Sequence, residues 1–116
     1  MVSGIDPTSG AALDRAGRVF AALADPTRRD IVRELSIDGP LTATQLASRM
    51  GISRQAAAKH LAELALTGLA VGERSGREHR FSVRTAPFAE AEAWMRAIGA
   101  TWDQRLQAFR ELAEGG

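Results

Sequence analysis

The 116-residue chain contains no cysteine. That absence removes structural disulfides, thiolate metal sites, iron–sulfur clusters and cysteine nucleophiles together. No run of about eighteen apolar residues is present, the length a helix needs to cross a bilayer, so no membrane partner is expected. The first ten residues lack the basic and apolar stretches of a signal peptide, and a cytoplasmic location follows by elimination. Residues 1–10, with Ser3, Gly4, Asp6, Pro7 and Gly10, read as a flexible arm. No pair of carboxylates sits in a pocket-forming motif, and there is no glycine-rich phosphate loop; Ser, His and Asp in some chain order do not make a triad. An enzyme is therefore not expected, and no cofactor is implied. Neither sign of charge dominates either. The formal net charge is +1, which alone does not point to a polyanion.

What is present suffices for one domain. Hydrophobic residues make up 45% and charged residues 25%, close to the average for globular chains of this size. The charge is unevenly spread. Residues 49–84 hold Arg49, Arg54, Lys59, Arg74, Arg77, Arg80 and Arg84 against three glutamates, whereas residues 85–116 are net acidic. A basic middle and an acidic tail predict two different partners. Lys59 is the one lysine among fifteen basic residues; arginine suits bidentate contacts to phosphate or guanine, although GC-rich codon usage explains most of the bias.

Periodicity and capping predict five helices and a hairpin, mostly α with a small β-hairpin wing, in the order α-α-(β)-α-α-β-β-α. Leu13, Ala16, Phe20 and Leu23 share one face of a first helix over residues 11–24. Asp25-Pro26 opens a second, with Ile31, Val32 and Leu35 inward, and Asp38-Gly39-Pro40 ends it. Thr42 with Gln45 is a capping-box pattern, opening a helix that holds Leu46, Ala47 and Met50 and stops at Gly51. Ser53 caps the next, with Ala56, Ala57, Leu61, Leu64 and Ala65 as its apolar positions, to about Thr67. Two capped helices over residues 42–67, joined by a short turn, make a helix-turn-helix. A wing follows over residues 69–84: Leu69 and Val71 point one way on its first strand, Phe81 and Val83 on its second, around a polar turn from Gly72 to Glu78. A long helix runs from Pro87 to about Ala113, so residues 11–113 form a single domain.

In that order, the segments Ala22-Leu23-Ala24-Asp25-Pro26-Thr27-Arg28-Arg29, Leu46-Ala47, Met50-Gly51-Ile52-Ser53, Lys59-His60-Leu61, Leu64 with Thr67-Gly68-Leu69, and Gly76-Arg77 through Phe81 cover about residues 18–84. Together they resemble the ArsR-type winged helix-turn-helix repressors. The tail Trp102-Asp103-Gln104-Arg105-Leu106 is similar to that of a cysteine-free, SdpR-like subgroup. The resemblance implies a DNA-binding transcriptional repressor that acts as a homodimer. Family metal sites use cysteines near the recognition unit or His and carboxylates on terminal helices; with no cysteine, and no histidine in residues 85–116, no metal site is expected.

Independently of the name, a helix fits the DNA major groove and its N-terminal side chains meet base edges. The predicted DNA-binding residues are Ser53, Arg54 and Gln55, then Ala58 and Lys59 one turn on. Arg54 suits guanine and Gln55 adenine; Ala58, where the family often has serine, offers a methyl to thymine. Ser53 has two roles open to it, helix cap and phosphate contact. Thr42 and Thr44 would offer hydroxyl or N–H groups to phosphate, and Arg74 and Arg77 at the wing tip would reach the backbone or minor groove. Arg80 depends on strand phase. His60 reads as structural, and His79 as either a surface residue or a pH-sensitive phosphate contact.

The predicted dimer interface joins Leu13 and Phe20 of the first helix to Met95, Ile98, Trp102 and Phe109 of the last. That last stripe is wider than one intramolecular face requires, with Trp94 open to either use. Two protomers would read an inverted repeat with half-sites about 10 bp apart or a multiple. The rival reading is a winged-helix protein-interaction module without DNA binding. The operator and any small-molecule effector are not encoded in a readable way.

Overall fold

In the computed structural model, which describes residues 6–115, side-chain caps set where the first four helices begin. Helix α1 spans Gly10–Ala22, α2 Pro26–Asp38, α3 Ala43–Met50 and α4 Arg54–Leu66. Their N-caps are Ser9, Asp25, Thr42 and Ser53, each accepting a backbone N–H from the first turn. Helix starts leave such N–H groups without a partner, and an Asn, Asp, Ser or Thr oxygen supplies one. The Thr42 box is reciprocal: Gln45 N donates to Thr42 Oγ1 at 3.1 Å, and Thr42 N donates to Gln45 Oε1 at 2.8 Å. Gly51, at φ 66°, closes α3 in the left-handed conformation that glycine adopts without strain. Residues 1–5 of the expected arm lie outside the described residues. From Asp6 to Ser9 local bonds precede the helix: Asp6 Oδ1 accepts from Thr8 N and Oγ1, and Ser9 caps α1.

Strand β1 (Leu41–Thr42) joins β2 (Ala70–Ser75) and β3 (Glu78–Val83) in an antiparallel sheet of order β1-β3-β2. The hairpin register pairs Ala70 with Val83, Gly72 with Phe81, Arg74 with His79 and Ser75 with Glu78. That leaves a two-residue turn, Gly76-Arg77, rather than the long polar turn expected. Gly76 has φ 63°, and among the described residues only glycines have positive φ, the pattern of a type II′ turn. The expected phase of the first strand is also corrected. Leu69 is buried in the turn after α4, held by Leu69 N donating to Leu64 O, so alternation starts at Ala70 and Val71 faces out.

Ile31, Leu46, Leu61, Leu64 and Leu69 are the largest fully buried side chains, gathered with Leu35, Leu41, Ala57 and Phe81 between the helices and the sheet. Full burial of such a side chain contributes about 1.5–3 kcal/mol, so this cluster dominates the fold's stability. Ala65, expected inward, is exposed because it sits about 100° from Leu64 around the helix. The buried face of α1 is likewise Ala12, Ala16, Val19 and Ala22, while Leu13 and Phe20 lie beside it in the open.

Helix α5 spans Thr85–Glu114, thirty residues or about 45 Å. It begins two residues before Pro87, which the first turn tolerates because its N–H would have no helical acceptor. Its first half packs on α1, with Ala91 buried, Trp94 edge-on to Phe20 at 5.8 Å, and Arg15 Nε donating to Glu90 Oε2 at 2.6 Å. Every residue from 99 to 115 is exposed.

Candidate nucleic-acid interface

Ala57, Leu61 and Leu64 anchor α4 in the core, and the 3.6-residue period then decides what the other side presents. Gln55, Ala58, Lys59, Ala62 and Leu66 turn away from that anchor, while Arg54, in line with Ala57 and Leu61, projects past the core as the first residue of the helix; all six are exposed. Across from them stands the face of the hairpin that carries Arg74, His79 and Phe81. Between the two lies an open groove of about 1030 Å³, floored by Thr42, Ala43, Thr44 and Gln45 at the start of α3 and edged by Arg54, Ala58, Arg74, Arg77 and His79. The structure therefore brings Thr42, Thr44, Arg54, Ala58, Arg74 and Arg77 to one groove. Gln55, Lys59 and the cap Ser53 are exposed outside its lining.

Ion pairing separates the basic residues into two groups. Arg49 Nη1 donates to Asp38 Oδ2 at 2.8 Å and Glu34 Oε1 at 3.0 Å, and these bonds, Asp38's first, raise its pKa further. Arg80 is held by Glu78 at 2.7 Å, and Arg28 lies between Asp25 and Glu63. Arg54, Lys59, Arg74, Arg77 and Arg84 make no ion pair among the described residues. The basic middle of the sequence thus overstates the free charge: Arg49 and Arg80 are occupied by carboxylates.

The hydroxyls differ as well. Ser53 Oγ accepts from Ala56 N at 3.0 Å, so its capping role is realised. Thr42 spends its Oγ1 and its N–H in the capping box, whereas Thr44 is exposed on the floor of the groove. The two histidines part company. His60 is half-buried with Nδ1 enclosed and unbonded, on the side of Asp25, whose pKa is lowered chiefly by the Thr27 N–H that donates to it. His79 lines the groove, its ring 4.4 Å from that of Phe81. Phe81 and Ala62 were not expected in the groove, and His79, left open between a surface residue and a phosphate contact, lines it.

Among the described residues, no helix is long and apolar enough to cross a membrane. A helix-turn-helix with its outer face bare, beside a short hairpin, defines a winged-helix DNA-binding protein. A helix-turn-helix domain family matches residues 23–73. The transcriptional regulator CmtR of Mycobacterium tuberculosis is 40% identical over 105 residues, spanning 90% of this chain and 86% of that protein. The repressor SdpR of Bacillus subtilis is 32% identical over 77 residues, spanning 66% and 84%. The solved structure of an ArsR-like regulator from Rhodococcus sp. RHA1 is 39% identical with a TM-score of 0.80, covering 89% of this chain and 96% of its own. The chain belongs to the ArsR family of winged helix-turn-helix transcriptional regulators, DNA-binding proteins and not enzymes.

Proposed function

We propose that this protein represses transcription in the cytoplasm by binding an inverted-repeat operator as a homodimer. The recognition helix α4 enters the major groove, where Arg54, Gln55, Ala58 and Lys59 meet base edges, and the wing lays Arg74 and Arg77 on the backbone. The observation that carries this reading is the set of unpaired cations on the bare face of α4 and the wing. A cation already bound to a carboxylate gains little from phosphate, whereas a free one releases counterions from DNA when it binds. Ser53 and Thr44 stand where phosphates would flank α4. SdpR, named a transcriptional repressor, supports the direction of regulation.

Two copies are needed because one chain leaves its terminal helix unfinished. Trp102 is 57% exposed, Phe109 72% and Leu112 79%, in line with Met95 on one face. Covering that stripe, with Leu13 and Phe20 of α1, against a second copy buries it and sets two recognition helices about a two-fold axis. Half-sites then lie about 10 bp apart or a multiple. Nothing in this reading requires an effector.

Fluorescence anisotropy on the DNA upstream of the gene, with scrambled competitor and varied salt, tests it. If the dimer neutralises about six phosphates, the log–log salt slope is near −5, and binding survives the competitor. Absence of binding at low salt by an intact dimer would favour the protein-interaction module instead.

A further inference from the structure

We propose that His79 is a further phosphate contact of this DNA groove, made by its protonated imidazole, so that operator binding takes up protons. The proposal rests on the DNA-binding reading above. His79 stands on β3 directly opposite Arg74 on β2 and projects from the sheet face that looks across the groove at α4. Its imidazole lies on Phe81 and over Gly72, where a Cβ would run into both rings. The ring is therefore braced, which lowers the ordering cost of a contact. Neither ring nitrogen bonds to another residue of the described structure, and neither is enclosed, in contrast to Nδ1 of His60.

The charged groups around it are Arg74 on β2, Arg77 in the turn, Arg54 on α4 and Glu78 on its own strand; the start of α3 contributes only Thr42, Ala43, Thr44 and Gln45. Glu78 Oε1 is taken by Arg80, at 3.0 Å from Nε and 2.7 Å from Nη2. The groove thus holds three free guanidinium groups and no free carboxylate among its lining residues. A backbone phosphate drawn in by those arginines is the anion an imidazolium would pair with. Histidine is also the side chain that ordinarily changes charge between pH 5 and 8. Binding therefore favours the charged ring, and by linkage affinity rises as pH falls.

Anisotropy titrations of the full-length protein on its upstream duplex, at about pH 6 and about pH 8, test this. The wild type should bind on the order of tenfold more tightly per protomer at the lower pH. Its salt slope should steepen there by about 0.9 per protomer, since one more phosphate is neutralised. His79→Gln and His79→Phe should remain at the weaker affinity at both pH values, although phenylalanine keeps the stacking on Phe81. His79→Lys should hold the tighter affinity at both. The proposal is overturned if His79→Gln keeps the wild-type pH dependence, if His79→Phe restores it, or if His60→Gln is the variant that removes it. A wild type that binds no duplex at either pH sinks the DNA-binding reading itself, whereas tight binding with a pH profile indifferent to His79 sinks only this one.

Discussion

From Thr42 to Val83 the chain completes its own structure and leaves charge unspent; beyond Ala97, α5 does the reverse. In the first region both helices are capped, Gly51 and Gly76 sit where positive φ is needed, and Leu46, Leu61, Leu64 and Phe81 are buried against one another. What remains open is mainly polar, Arg54, Gln55, Lys59, Arg74 and Arg77, with Leu66 and Val71 as the large apolar exceptions. In the second, every residue from 99 to 115 is exposed, and the large apolar ones among them are Trp102, Leu106, Phe109 and Leu112; the helix's N-cap, Arg84, makes no side-chain cap bond. Arg105 over Trp102, 5.5 Å from the ring centroid, is the one cation–π contact among the described residues, worth about 0.5–1 kcal/mol at an exposed site. The two ends therefore leave surfaces of opposite chemistry bare. A polyanion suits the first, and an apolar copy of itself suits the second.

The largest expected effect would break the tail's side of that contrast. Trp102→Glu with Phe109→Glu should convert the dimer to a monomer in sedimentation while leaving the helical circular dichroism. Operator affinity should then fall by about 10²-fold or more, because two linked half-site contacts become separate events. A dimer that persists would place the two-fold axis elsewhere.

Next in size is Arg54→Ala. If its guanidinium pairs a guanine, the substitution costs about 1–3 kcal/mol of binding per protomer and relaxes specificity at one base pair. Arg77→Ala should weaken binding to all sequences alike and reduce the salt slope by about 1 per protomer. Identical behaviour of the two in a competitor assay would erase the division of labour between helix and wing.

Ser53 offers a smaller and sharper test. Ser53→Ala should lower stability by about 1 kcal/mol in urea denaturation, through loss of the bond to Ala56 N. Ser53→Asp should keep the cap and yet weaken DNA binding, since a carboxylate repels phosphate. Stability and binding that fall together in both variants would show capping to be its whole role.

The smallest effect concerns Asp25, the N-cap of α2 just ahead of the first region. The Thr27 N–H that donates to it holds its pKa below the ordinary carboxylate value. The folded state therefore binds this proton less readily than the unfolded chain. Its contribution is present at neutral pH and is lost as pH falls through the lowered pKa. Thermal melts from neutral to acid pH should show a shallower loss in Asp25→Asn than in wild type.

Local chemistry was legible where a few adjacent residues decide the outcome. Asp25-Pro26, Thr42 with Gln45, Ser53 and Gly51 place four helix boundaries because a cap acts within one turn. The winged-helix order followed from those boundaries. What could not be read is set by neighbours far along the chain. Leu69 and Val71 alternate in sequence, yet the bond from Leu69 N to Leu64 O draws Leu69 into the turn and shifts the strand's phase by one. That shift is what puts Arg74 on the face shared by His79 and Phe81, across from α4. Arg49 counts as a free cation in the sequence, but Glu34 and Asp38 come to it across the fold. Leu13, Ala16, Phe20 and Leu23 share one face on a helical wheel, whereas the folded chain buries Ala12, Ala16, Val19 and Ala22.

The sequence by itself determined the elements, their caps, the absence of thiolate chemistry and the family, since these depend on residue types and short spacings. Only the tertiary structure decided which cations are free, which strand face borders the groove, and that half of the terminal helix is left uncovered by the described residues. Those outcomes depend on distances between segments that lie far apart along the chain, and periodicity within one segment carries no measure of such distances.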